Sequence, residues 1–143
     1  MTFPIAVLTD ALAVMPLGDV LNWCRARGVA GIELGVGGYS STPHVSRQDL
    51  ITSAAARRAL QDSLERAGLE LVALNVSGNP LHPDSDIAAD HAQALRDAVK
   101  LAQTLGVSRV VAMSGCPGGP GRDGAGSWPV FAGGAWLPDM EDL

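Results

Sequence analysis

The sequence has little positive charge, few cysteines, few aromatic rings and no long hydrophobic run. Its 143 residues include 10 Lys or Arg and 15 Asp or Glu, giving a formal net charge of −5, and Lys100 is the single lysine. A protein that binds the phosphate backbone of nucleic acids needs a concentrated positive surface. No basic run supplies one, and the composition therefore argues against nucleic acid as a partner.

The two cysteines are too few and too far apart for a disulfide framework. Cys24 and Cys116 form no Cys-x-x-Cys pair and have no histidine at ligand spacing, which is typical of a reducing compartment. No basic leader precedes an apolar stretch at the N-terminus, and no apolar run approaches the length of a membrane span. The sequence therefore predicts a cytoplasmic protein without a membrane partner.

One unit occurs three times in the chain: an amphipathic helix, a glycine and a short apolar strand. The glycines are Gly28, Gly68 and Gly106, about 40 residues apart. Glycine just past the end of a helix favours a left-handed cap. The second helix is predicted over residues 47–67 and the third over residues 87–105, and both show apolar positions at helical spacing.

Strands alternate with these helices and predict the fold class. The four predicted strands are residues 4–9, 31–34, 69–75 and 109–114. Their apolar character suits a sheet covered on both faces, and the alternation predicts parallel strands with right-handed crossovers. A doubly wound sheet shares this pattern, but the near-constant repeat length favours a TIM-type barrel. Because a complete barrel needs about 250 residues, residues 1–143 are predicted to form its N-terminal half, about four of eight βα units.

The helical pattern also predicts which side chains are buried. Cys24 lies on the apolar stripe of the first helix, and Val99 lies on that of the third. His91 is expected on the exposed surface of the third helix. Asp10, which follows the first strand, is expected to begin a turn or to cap the next helix.

Ligands of parallel α/β proteins bind where the strands end, and the segment after the third strand is the most informative. It holds Asn75, Ser77, Asn79 and His82, and prolines stiffen it. A histidine here can bind a metal or carry a proton. The alternative is a loop histidine that is hydrogen-bonded to the backbone.

Glu33 lies in an apolar strand, and its role depends on the direction of its side chain. If the side chain points into the barrel, Glu33 is a buried carboxylate of the site. If it points outward, it pairs with a neighbouring helix. The sequence leaves both interpretations open.

Residues 115–138 are rich in glycine and proline and predict a long loop. Trp128, Phe131 and Trp136 favour a lid, because large apolar rings are uncommon in a solvated linker. Residues 119–124 match the glycine spacing of the dinucleotide fingerprint. The residues that follow cannot open the helix which that fingerprint requires, so no nucleotide site is predicted.

Three segments of the chain resemble the sugar phosphate isomerase/epimerase family of the xylose-isomerase-like barrel superfamily. They are Gly-Ile-Glu-Leu-Gly at 31–35, Ser-Gly-Asn-Pro-Leu-His-Pro at 77–83 and Met-Ser-Gly-Cys-Pro-Gly at 113–118. The resemblance covers nearly the whole chain. It implies a (β/α)₈ barrel with a divalent metal, Mn²⁺, Mg²⁺, Co²⁺ or Zn²⁺, at its C-terminal mouth. It also implies metal-assisted aldose–ketose isomerisation, or epimerisation, of a sugar or sugar phosphate.

The resemblance also implies that this chain lacks most of the chemistry. The family's usual metal ligands, two Glu, an Asp and a His, are carried by strands of the second half, so the chain alone is expected to bind no metal and to be inactive. Its own residues are expected to contribute pocket wall and substrate contacts. The substrate-binding candidates are Glu33, Asn75, His82, Trp128 and Trp136, and His82 is also a candidate metal ligand.

Two other interpretations come from different functional classes. One is a metal-dependent hydrolase like endonuclease IV, against which the acidic composition argues. The other is a non-catalytic half-barrel that binds a partner or forms a homo-oligomer, because a half-barrel leaves two strand edges open.

Overall fold

The computed structural model describes residues 3–117, in which four parallel strands alternate with helices. In chain order the elements are β1 (Ala6–Leu8), a 3-10 helix (Thr9–Leu12), α1 (Leu17–Ala26), β2 (Gly31–Gly35), α2 (Arg47–Thr52), α3 (Ala54–Ala67), β3 (Glu70–Asn75), α4 (Ser85–Leu105) and β4 (Val110–Val111). The predicted α/β class is confirmed. Trp128, Trp136 and most of the predicted loop at 115–138 lie outside the described residues.

The strands are ordered β1-β2-β3-β4, and each neighbouring pair is parallel. A sheet that follows the sequence in one direction winds as a barrel does, whereas a doubly wound sheet reverses its order at a switch point. The described part is therefore a partial TIM-type barrel with β1 and β4 at its edges. No helix between residues 3 and 117 is both long enough and apolar enough to cross a membrane.

The three glycines predicted to follow helix ends adopt the left-handed conformation, and polar side chains cap the starts of two helices. Gly28, Gly68 and Gly106 have φ values of 69°, 67° and 73°, which is the left-handed conformation that glycine adopts at least cost. At the other ends, the side chain of Ser46 accepts a hydrogen bond from an amide of α2, and Asp84 accepts two from α4. Local sequence therefore determines where these helices begin and end.

The second predicted helix, residues 47–67, is two helices and not one. Ser53 has an extended backbone with ψ of 113°, and its side chain caps α3 by accepting a hydrogen bond from the Ala56 amide. Arg57 donates to the carbonyls of Leu50 and Ile51, which satisfies the end of α2. Serine interrupts the helix because its hydroxyl competes for backbone hydrogen bonds, an effect that apolar periodicity does not reveal.

The core lies between the sheet and the helices. Ile32 and Leu34 of β2 are fully buried there, together with Cys24 of α1, as the first helix pattern predicts. The prediction for α4 is wrong at two positions: Val99 is 54% exposed and His91 only 8% exposed. The buried residues of α4 are His91, Ala94, Ala98, Leu101 and Ala102.

Candidate functional site

Glu33, in the middle of β2, and Asn75, the last residue of β3, form a hydrogen-bonded pair on the two central strands. Because Ile32 and Leu34 face the helices, Glu33 between them points to the opposite side, which is the interior of a barrel. The Nδ2 of Asn75 donates to Oε1 of Glu33, and the Oδ1 of Asn75 accepts from the Ser77 amide at 3.0 Å. The open question about Glu33 is thereby answered, since its side chain points inward.

A register shift in the sheet produces this pair. Ile32 of β2 pairs with Leu71, but Glu33 pairs with Ala73, so Val72 is an extra residue in β3. If the same sequence paired without the shift, Asn75 would lie opposite Val36, one position further along β2, and would point to the helix side. Irregularities of this kind often re-aim a side chain at a site.

Gly31 makes room for the shifted strand. A Cβ at this position would lie 2.6 Å from the carbonyl oxygen of Glu70 and 2.7 Å from Cγ1 of Val72. A separation below 3.0 Å requires the backbone or the neighbouring side chain to move. The glycine of the Gly-Ile-Glu-Leu-Gly motif is therefore needed for strand packing, two positions before the carboxylate.

Asn79 joins the loop after β3 to the segment after β4. Its side chain is buried, with Oδ1 accepting from the amides of Leu81 at 3.1 Å and Cys116 at 2.8 Å, and Nδ2 donating to the Cys116 carbonyl at 2.8 Å. Its backbone amide donates to Nδ1 of His91 at 2.9 Å. We call Asn79, His91 and the backbone of Cys116 the Asn79 clamp. The segments 77–83 and 113–118, two of the three that carry the family resemblance, are therefore joined to each other by these hydrogen bonds.

Tyr39 extends the Asn79 clamp to the loop after β2. Its ring meets that of His91 edge to face with centroids 4.8 Å apart, and its amide donates to the Ser77 carbonyl. Burial raises the pKa of the Tyr39 phenol, and the Asn79 side chain partly offsets that rise. The helical pattern in the sequence did not indicate that His91 belongs to this cluster. The glycine at position 78 was the available indication of a close contact, since a Cβ there would lie 3.0 Å from Cγ of His91.

His82 lies in the turn that precedes α4. Its Nδ1 accepts a hydrogen bond from the Asp84 amide at 3.0 Å, and its own amide donates to the Asn79 carbonyl. These contacts hold a turn and do not bring the imidazole to the Glu33–Asn75 pair. A substrate or metal role for His82 stays a prediction.

Asp10 follows β1 and does not cap a helix. Of the two alternatives expected for Asp10, the helix cap is wrong, because the N-cap of α1 is Pro16 and the Asp10 carboxylate lies against Gly35, the last residue of β2. The turn is confirmed, since Asp10 lies in the 3-10 helix and its carbonyl accepts a hydrogen bond from the Ala13 amide at 3.3 Å. Because Gly35 has no side chain, the carboxylate can occupy the space that a Cβ would fill.

The described residues do not fit a divalent metal by themselves. Between residues 3 and 117, no group of three or more His, Cys, Asp or Glu side chains is placed to hold one ion. Metal sites in enzymes are commonly built from at least three protein ligands.

Parallel strands in sequential order define the fold as a partial TIM-type barrel, a class whose ligand sites lie at the carboxyl ends of the strands. Residues 21–134 match the family model described as xylose isomerase-like TIM barrel, and the chain belongs to this family. The chain is 33% identical, over 139 residues and 97% of its length, to the uncharacterized protein YfiH of Bacillus subtilis (strain 168), of which it spans 44%. The predicted superfamily is thereby confirmed.

Among solved structures, the chain is similar to the probable 3-DHS dehydratase AsbF from Bacillus anthracis, a protein involved in petrobactin synthesis. The similarity covers 79% of this chain and 39% of that chain, with a TM-score of 0.48 and 17% sequence identity.

Proposed function

We propose that this chain forms one wall of the substrate pocket of a sugar or sugar phosphate isomerase or epimerase. The observation that carries the proposal is the Glu33–Asn75 pair, a fixed carboxylate on the inner face of a barrel sheet. Family membership supports it, since Asn75 is the last residue of β3 and barrel enzymes bind their ligands where the strands end.

Isomerisation beside a carbonyl requires a base that moves a proton between neighbouring carbons. A carboxylate held within about 3 Å of that proton can act as the base. Asn75 occupies one oxygen of Glu33 and leaves Oε2 without a hydrogen bond from residues 3–117. Because both ends of the Asn75 amide are already bonded, we assign proton transfer to Glu33 and positioning to Asn75.

The divalent metal is not assigned to the described residues. We propose that residues outside 3–117 hold the divalent ion that the family resemblance implies, because the described carboxylates and imidazoles do not gather around one point. The chain alone is accordingly proposed to bind sugar weakly and to catalyse nothing.

Amide chemical shifts of the ¹⁵N-labelled chain, titrated with D-xylose, test the proposal. Saturable shifts at residues 33, 75 and 77 are expected, and Glu33→Gln should weaken binding about tenfold, the effect of one charge-assisted hydrogen bond. Glu65→Gln is the matched control, because Glu65 is exposed on α3. Shifts confined to other surfaces would refute the proposal, and binding of an abasic-site DNA duplex instead of sugar would favour the hydrolase interpretation.

A further inference from the structure

Asp10 contributes a second carboxylate to the face that carries Glu33. A Cβ built on Gly35 would lie 2.2 Å from Oδ1, 2.7 Å from Cγ and 2.8 Å from Oδ2 of Asp10, so the whole carboxylate sits where a side chain of residue 35 would begin. Gly35 and Glu33 are two positions apart on one strand and share a face. The Asp10 carboxylate therefore lies on the inner face, about 6.6 Å further along β2 than Glu33.

One oxygen of this carboxylate lacks a hydrogen-bond partner. The Oδ1 of Asp10 exposes less than 1 Å² and accepts no hydrogen bond from the described part of the chain. The amide of Gly35, the residue against which the carboxylate lies, is already used, since it donates to Oγ1 of the buried Thr9 at 3.3 Å. Buried acceptors without a donor are rare in native proteins and call for a functional or solvent partner.

We propose that Asp10 is a ligand-binding residue whose Oδ1 accepts a hydrogen bond from a hydroxyl group of a polyhydroxylated ligand. This inference rests on the proposed function, and it adds a second contact to the same site. An acceptor that lacks a donor selects a ligand rich in O–H groups, and a sugar chain carries such groups on successive carbons. The carboxylates of Glu33 and Asp10 on one face can thus accept hydrogen bonds from two hydroxyls of one ligand. Gly35 leaves the space that the Asp10 carboxylate occupies.

The test uses the full chain and xylitol, with 1,5-pentanediol as a probe of similar length that lacks neighbouring hydroxyls. Amide shifts at residues 10, 33 and 35 are expected to saturate with millimolar xylitol and not with the diol. Asp10→Asn and Gly35→Ala should each weaken xylitol binding about tenfold, the cost of one charge-assisted hydrogen bond. The double variant should be no weaker than Gly35→Ala alone, since both changes remove the same contact.

Matched controls separate this role from a structural one. Asp19→Asn changes an exposed carboxylate, and Gly18→Ala adds a Cβ that meets nothing within 4 Å, so both should bind xylitol like the wild type. Asp10→Asn should keep the melting temperature of the wild type, because Oδ1 has no partner to lose.

The outcomes distinguish this inference from the proposed function. If Glu33→Gln weakens xylitol binding and both Asp10→Asn and Gly35→Ala bind normally, the Asp10 role is wrong and the proposed function stands. If Mn²⁺ alone saturates the shifts at residues 10 and 35, the missing partner is a cation and the hydroxyl assignment is overturned. If the wild type binds D-xylose but not xylitol, the hydroxyl assignment for Asp10 is overturned and the proposed function stands; if it binds neither, both fail.

Discussion

Replacing Asn79 by alanine should destabilise the fold more than any exposed substitution. The change removes three side-chain hydrogen bonds, to the Leu81 amide and to both backbone groups of Cys116. Each is worth about 1 kcal/mol, and the buried groups left behind lose their partners, so a loss of roughly 3 kcal/mol in the free energy of unfolding is expected. Urea unfolding followed by circular dichroism measures it.

The control is Gln103→Ala, which truncates an exposed side chain on α4 and should change stability by less than about 0.5 kcal/mol. A second readout is local. Breaking the Asn79 clamp should speed the reaction of Cys116 with a thiol reagent, while Cys24 stays protected because its side chain is fully buried and burial raises its pKa. An Asn79→Ala variant as stable as the control, with unchanged Cys116 reactivity, would show that the clamp does not hold the two segments together.

Four further outcomes are expected. Gly31→Ala should lower the free energy of unfolding by about 2 kcal/mol, since the added Cβ would lie 2.6 Å from a backbone oxygen of β3. Gly18→Ala is the control, and equal melting temperatures of the two variants would contradict the packing role of Gly31. Because the pKa of Tyr39 is raised in the folded protein, its contribution to the free energy of unfolding is present below the ordinary value of 10.0 and is lost as pH rises through the higher folded value. Tyr39→Phe should therefore reduce the fall in unfolding free energy, measured with urea, over this pH range. A variant with the same pH dependence as the wild type would contradict this assignment. Calorimetry with Mn²⁺, Mg²⁺, Co²⁺ and Zn²⁺ should detect no stoichiometric site, whereas tight binding lost in His82→Ala would show that this chain holds its own metal. Sedimentation should detect concentration-dependent self-association through the edges formed by β1 and β4, and a constant monomer mass would exclude it.

The elements that local sequence controls could be predicted. The three glycine caps depend on one residue each, and Ser46 and Asp84 cap their helices through neighbouring amides. The strands could be placed because each is a short apolar run between helices. In the structure β1 and β4 are shorter than predicted, because the ladder pairs fewer residues than the apolar pattern covers.

The side-chain pairs of the site depend on contacts that no local pattern contains. Glu33 and Asn75 were both candidates, yet their hydrogen bond joins residues 42 positions apart and needs the register shift at Val72. His91 was assigned to the surface because helical periodicity rates a histidine as polar. Its burial follows from its hydrogen bond to the backbone of Asn79, which lies in a loop.

The extra residue in β3 has a consequence for the evolution and engineering of this barrel. Deleting Val72 would leave Ala73 opposite Glu33 and Asn75 opposite Gly35, so the strands could pair regularly with both side chains of the pair on one face. A homologue with a one-residue gap at Val72 can therefore keep the site. A one-residue gap at Leu74 would instead place Asn75 opposite Leu34 and turn it to the helix side.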